Sequence, residues 1–232
     1  MIFGFHDGQL KVLLLRLADY MGGWALPAGF IYKEEDIEEA AKRVLQERTG
    51  LTDIFLQQFY LFGKADRCEN NITKAAFEMQ GIKAPKNNWL LQRFLTAGYY
   101  ALVDFVAVNA TADYFSKAVE WHDIHSLPKL VMDHENIIQT ALLMLRTHLR
   151  YEPVGYNLLP EKFTMPELQK LYETILDKKL DRRNFQRKVL SYGILRKLKE
   201  QRKGVAHKAP YLYSFNLRKY HKALKDGLQD TW

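Results

Sequence analysis

The 232-residue sequence is 47% hydrophobic, enough to pack one large core or two modest ones. A single cysteine, Cys68, excludes an internal disulfide framework and fits a reducing compartment. No apolar run approaches the roughly 20 residues that span a bilayer, and Met1–Gly8 lacks a basic stretch, so a cytoplasmic chain with no signal peptide and no membrane partner is expected. The formal net charge of +7 conceals a split. Residues 1–150 carry 16 Lys+Arg against 18 Asp+Glu, whereas residues 151–232 carry 18 against 9. The basic second part points to a polyanion, although a merely solvated surface has the same composition.

In chain order, Ile2, Phe3 and Phe5 read as a strand, Asp7-Gly8 as a turn, and Leu10–Leu15 as a buried strand. Gly22-Gly23, Pro27 and Gly29 mark a loop. From Asp36, the residues Ile37, Ala40, Ala41, Val44 and Leu45 recur at helical spacing, with Gly50 placed to end the helix. Strands are predicted at Phe55–Phe62 and Ala97–Val108. Residues 68–96 read as an insertion with a short helical piece at Thr73–Gln80. Its Trp89–Leu95 run is apolar enough to be buried, and a dimer contact, a lid and a plain surface insertion all suit it. A helix over about His134–Leu149, N-capped by Asp133, completes an α/β/α sandwich order for residues 1–150.

Residues 151–160, with Pro153, Gly155, Asn157 and Pro160, read as a linker. Beyond it, residues 161–232 have the order of a winged helix-turn-helix domain, so the fold class is α+β. Thr164-Met165-Pro166-Glu167 forms a capping box, with Phe163 and Leu168 as the hydrophobic staple. A second helix runs from Asp181 to about Tyr192 on Phe185, Val189 and Tyr192, and Gly193 stops it. Ile194–Lys199 and Tyr211–Phe215 then make a hairpin around a basic loop. On the second helix Arg182, Arg183, Gln186 and Arg187 fall on the outer side, with Asn184 and Lys188 flanking. Arginine pairs bidentately with guanine and glutamine with adenine in the major groove. Arg202, Lys203, His207 and Lys208 in the hairpin suit backbone phosphates.

Gly29–Leu51 resembles the Nudix box: Gly29, Glu35, Arg43, Leu45, Glu47, Gly50 and Leu51 fall in register with it. Two positions depart. The glutamate expected after the arginine is Val44, and the second glutamate of the acidic pair is Arg48. In the family those carboxylates are main Mg²⁺ ligands, and Mg²⁺ demands hard oxygen donors. Glu35, Glu39, Arg43 and Glu47 stand at i, i+4 intervals and can pair along the helix instead. The expectation is a degenerate box with no catalytic residues, no metal and no cofactor. A cleft beside it would bind a small molecule, with Arg16, Trp24, Phe30, Phe62, Asp66 and Arg67 as candidate lining.

Further segments extend the resemblance along nearly the whole chain to the bacterial Nudix-related transcriptional regulators. They are Leu127-Pro128, Met132-Asp133-His134, Pro153 to Pro160, Phe163-Thr164, Glu167-Leu168-Gln169, Leu171-Tyr172-Glu173 and Asp181 to Phe185. The sequence looks most like the sugar-responsive, arabinose-regulator-like members from Bacteroidetes. The insertion at 68–96 departs from the family pattern, and the extra N-terminal strand segment looks absent or shortened. This resemblance implies a homodimer that binds double-stranded operator DNA and responds to a sugar or an ADP-ribose-like effector. The alternative is an active Nudix hydrolase of nucleoside-diphosphate derivatives with a nucleic-acid-binding tail. It would need metal ligands from outside the box, such as Glu78 or Glu120.

Overall fold

The computed structural model describes residues 1–19, 22–52, 54–67, 74, 77–78, 81, 83, 88–108, 110, 116–150, 153, 155–202 and 209–228. The chain forms two compact units, residues 1–4 with 11–141 and residues 5–10 with 142–232. Cys68, about half of the 68–96 insertion, and Lys203, His207 and Lys208 lie outside the described residues. Of the short helical piece expected at Thr73–Gln80, Lys74, Phe77 and Glu78 are described and are helical.

In the first unit, strands β1 (Ile2–His6), β2 (Gln9–Leu17), β3 (Trp24–Ala25), β4 (Leu56–Phe62) and β5 (Thr96–Asp104) follow the sheet order β3-β2-β1-β5-β4. Strand β6 (Ser116–Asp123) pairs antiparallel with β2, from Lys11↔Asp123 to Leu17↔Ser116. Asp7 and Gly8 both have positive φ, 49° and 74°, which suits the tight turn between β1 and β2. Leu13 of β2 packs with Ile2, Ala101, Val103 and Leu45, the last from helix α1 (Ile37–Thr49). The Glu39 carboxylate accepts from the Asp36 N–H at 3.0 Å, and the helix ends where Gly50 N–H reaches Gln46 O at 2.8 Å.

Strand β6 has no counterpart in the predicted elements. Lys117, Glu120, His122 and Asp123 interrupt its apolar residues, so neither an alternating nor a continuous apolar pattern announces it. Helix α2 (His134–His148) starts where expected, but the predicted cap is absent. The Asp133 carboxylate is taken by Arg67, at 3.0 Å to both oxygens, and only its carbonyl joins the helix by accepting from Ile137 N–H. The run Trp89–Leu95, apolar enough for burial but read first as a surface insertion, places Trp89 and Leu95 at the surface, 57% and 63% exposed.

In the second unit, β7 (Phe163–Thr164), α3 (Met165–Leu176), α4 (Arg182–Ser191), β8 (Leu195–Gln201) and β9 (Tyr211–Phe215) form the winged-helix arrangement, with an antiparallel sheet in the order β7-β9-β8. Thr164 Oγ1 accepts from Glu167 N–H at 3.3 Å, and Glu167 Oε2 accepts from Thr164 N–H at 2.6 Å, so both halves of the capping box form. Phe163, Leu168, Leu171 and Ile175 are fully buried beneath it. Leu158 and Leu159, in the segment read as linker, are buried as well.

The turn between α3 and α4 is locked by side chains. Glu173 Oε1 accepts from Leu180 N–H, and Gln169 Nε2 donates to Leu180 O, both at 2.9 Å. Tyr172 and Phe185 cross at 5.3 Å between ring centroids, fixing the helix pair from the inside. A further helix, α5 (Leu217–Asp226), follows β9 and was not foreseen from the sequence. Replacing Thr164 with alanine is expected to lower the unfolding free energy of this unit by about 1 kcal/mol in urea titrations followed by circular dichroism. An unchanged midpoint would contradict the capping role.

Candidate effector and nucleic-acid sites

The box region is organised around Arg43. Its Nε donates to Glu35 Oε2 at 3.0 Å, its Nη1 to Glu47 at 3.2 Å and its Nη2 to Phe30 O at 2.7 Å, while the guanidinium lies 3.9 Å from the centre of the Tyr32 ring. This guanidinium holds the Glu35 carboxyl below the usual carboxylate range. Val44 projects at Gly29 so closely that a Cβ there would sit 2.4 Å from Val44 Cγ2. The glycine is therefore required by close approach. Arg48 Nη2 donates to Ala28 O at 3.2 Å, placing its positive charge beside the same loop. Among the described residues, no group of three or more His, Cys, Asp or Glu is arranged to hold a metal ion.

The structure separates the six candidate cleft residues. Arg67 is buried, and its donors are spent on Asp133, Phe62 O, Phe94 O and Thr96 Oγ1. Phe62 is 4% exposed and packs on Phe59 and Tyr60. Both hold the fold and present nothing to solvent. Asp66 and Arg16 are exposed, and Arg16 is in register with Trp24 across β2 and β3. Trp24 meets His122 of β6 edge-on at 4.4 Å. Phe30 is 54% exposed and forms an aromatic group with Trp89 at 5.1 Å and Phe94 at 5.8 Å.

Sequence reasoning missed Trp89 and Phe94 as partners of Phe30, His122 as partner of Trp24, and Tyr32 as partner of Arg43. For Trp89 and Phe94 the signal was the aromatic content of the insertion, which gives no partner for its rings.

On the second unit, Asp181 Oδ1 caps α4 by accepting from Asn184 N–H at 2.8 Å. Phe185 and Val189 are buried, so Arg182, Arg183, Asn184, Arg187 and Lys188 are exposed and Gln186 is half-buried. Arg187 Nη2 donates to Asn184 Oδ1 at 2.9 Å, which orders two members of this face. Arg202 is committed differently: it pairs with Glu167 of the capping box, tying the end of β8 to the start of α3. Arg202 stays partly exposed in this pairing, so the ion pair orders it at the end of the hairpin strand.

Comparison with known proteins matches each unit to a family. Residues 1–141 match the NUDIX domain family, and residues 155–215 match the family described as the NrtR DNA-binding winged helix domain. The class is thus a Nudix domain joined to a DNA-binding winged helix. A relative from Acinetobacter baylyi, described as an ADPR responsive transcriptional repressor NtrR, is 30% identical over 226 residues, covering 94% of this chain and 81% of that protein. The crystal structure of Shewanella oneidensis NrtR complexed with a 27mer DNA is 26% identical, with a TM-score of 0.73 over 95% of this chain and 93% of that one. A MutT/nudix family protein from Enterococcus faecalis shares the fold at 21% identity and a TM-score of 0.66, over 93% of this chain and 83% of that one. The chain belongs to the NrtR-like family of Nudix-related transcriptional regulators.

One titration reports on the path into the box. His134 Nδ1 accepts from Leu26 N–H at 3.0 Å, just before Pro27, and so must be unprotonated. Burial pushes this imidazole down to about 4, with Asp133 opposing the shift and Arg67 adding to it. Unfolded histidine titrates near 6.5, so only the unfolded chain gains this proton as pH falls from about 6.5 to 4. The contribution is complete above that window and falls by about 3 kcal/mol across it. His134→Asn, which retains an acceptor, is expected to remove this part of the acid sensitivity in urea titrations at pH 7 and pH 4. Equal pH dependence in both proteins would contradict the assignment.

Proposed function

We infer that this protein is a sequence-specific DNA-binding transcriptional repressor whose Nudix domain senses an ADP-ribose-like nucleoside diphosphate instead of hydrolysing it. The observation that carries the DNA reading is the exposed face of α4. Arg182, Arg183, Asn184 and Arg187 stand on a helix capped by Asp181 and locked to α3 by Gln169 and Glu173. Bidentate arginine–guanine contacts from such a face discriminate bases by about 1–3 kcal/mol each. The protein acts in the cytoplasm as a homodimer on two half-sites.

For the sensor, Phe30 with Trp89 and Phe94 offers exposed rings against which a base can stack. Arg16, Trp24 and Asp66 supply polar and aromatic lining, while Arg67 and Phe62 serve the scaffold. The ADPR response named for the Acinetobacter baylyi relative supports an ADP-ribose-like effector. The narrower sugar-responsive reading is tested by substituting arabinose in the same binding assays.

The box does not fit Mg²⁺. Val44 supplies no oxygen, Arg48 adds positive charge, and Glu35 and Glu47 already neutralise Arg43. Glu78 and Glu120, the outside carboxylates that a hydrolase would need, are both exposed.

Two outcomes follow. The purified protein should prefer the duplex upstream of its own gene over random duplex, with affinity falling steeply as salt rises, and Arg183→Ala should cost about 1–3 kcal/mol of that preference. Fluorescence anisotropy across a salt series measures both; no preference over random duplex would overturn the reading. Mg²⁺-dependent cleavage of ADP-ribose should be absent from the native chain and gained only when Val44→Glu and Arg48→Glu are combined, with turnover by the unsubstituted protein counting for the hydrolase.

A further inference from the structure

Helix α5 lies outside the matched winged-helix segment, which ends at residue 215. It is nonetheless built into the same unit. Asn216 caps it by accepting from Lys219 N–H, and Asn216 N–H donates to Ile194 O at 2.8 Å, pinning the helix start to the residue that leads into β8. Tyr220 is buried, with its ring 5.2 Å from Phe215 and 5.6 Å from Tyr156, and its hydroxyl donates to Pro153 O at 2.9 Å. Ala223 and Leu224 are half-buried on the same side. At about 100° per residue, Arg218, Lys222 and Lys225 then fall on the opposite, exposed side.

This stripe is one-signed. Arg218, Lys219, His221, Lys222 and Lys225 are all exposed, and Asp226 at the end is the only acid on the helix. Among the described residues no carboxylate pairs with Arg218, Lys219, Lys222 or Lys225. One member of the stripe reaches the C-terminal end of the reading helix. Lys219 Nζ lies 3.8 Å from where a Cβ on Gly193 would stand, two residues past the end of α4. Four cations with no carboxylate partner among the described residues, on a helix docked by Tyr220, complement the charge of a DNA backbone. A 10-residue helix is about 15 Å long, or roughly four base-pair steps.

We propose that α5 is a second DNA-contacting element, which grips the phosphate backbone beside the groove that α4 enters and adds affinity without adding sequence discrimination. This rests on the DNA-binding reading above, and the experiment separates the two. Labelled duplex from upstream of the gene and random duplex of equal length are titrated from 50 to 300 mM salt. The proteins compared are the native chain, Arg183→Ala, and the triple variant Arg218→Ala, Lys219→Ala, Lys222→Ala. The triple variant should lose affinity for both duplexes by the same factor, and its slope of log affinity against log salt should shrink by roughly 2 to 3. Arg183→Ala should instead narrow the gap between the duplexes.

Lys219→Arg with Lys222→Arg should behave as native. If the triple variant melts early, Lys222→Ala alone should reduce the slope by roughly one. Native binding with unchanged slopes in these alanine variants overturns the role of α5 alone. Loss confined to the upstream duplex also overturns it, because α5 would then be reading sequence. No salt-dependent binding by the native chain overturns both readings.

Discussion

Arg67 is the buried charge around which the first unit is arranged. Its guanidinium joins the end of β4 through Phe62 O, the approach to β5 through Phe94 O and Thr96, and the start of α2 through Asp133. Removing one partner of such a pair costs on the order of 3–5 kcal/mol, because the other charge is left buried and unpaired. The next residue after Asp133 is His134, whose imidazole accepts from Leu26 N–H. One ionic contact thus fixes the N-terminal end of α2, then the short strand that leads into the box. That is why Arg67 is unavailable to an effector although its position in the sequence suggested one.

The box itself shows how a metal-binding helix face becomes self-neutralised. An arginine between two glutamates satisfies both carboxylates without a metal ion, and the valine beside it closes on Gly29. The exposed Glu47 pairing is weak in water, so the arrangement owes more to packing and to the Phe30 carbonyl than to ion-pair energy. The loop beside it exposes the Phe30 and Tyr32 rings, while Val44 and Arg48 leave the metal-facing positions without oxygen donors.

Much of this was legible in the chain because local physics dominated. The capping box at Thr164, the periodic Leu168, Leu171, Tyr172 and Ile175, and the inward Phe185 and Val189 each follow from helix geometry, and all appear where expected. What failed depended on distant partners. Asp133 reads as a cap until Arg67, 66 residues away, claims its carboxylate. The pairing of Arg202 with Glu167, 35 residues away, was likewise invisible in the local pattern. Strand β6 is hidden because its pattern is mostly polar, and its place is set by pairing with β2. Helix α5 is hidden because basic residues outnumber its few apolar anchors, of which Tyr220 alone is fully buried.

The central claim joins sensing to DNA binding and excludes turnover, so the most direct test monitors both in one vessel. Protein bound to the labelled duplex from upstream of its gene, in Mg²⁺-containing buffer, is titrated with ADP-ribose. Anisotropy reports the DNA and chromatography the nucleotide. The account predicts saturable release of the DNA with all of the ADP-ribose recovered intact. DNA binding that is indifferent to ADP-ribose, together with its conversion to AMP, would contradict it.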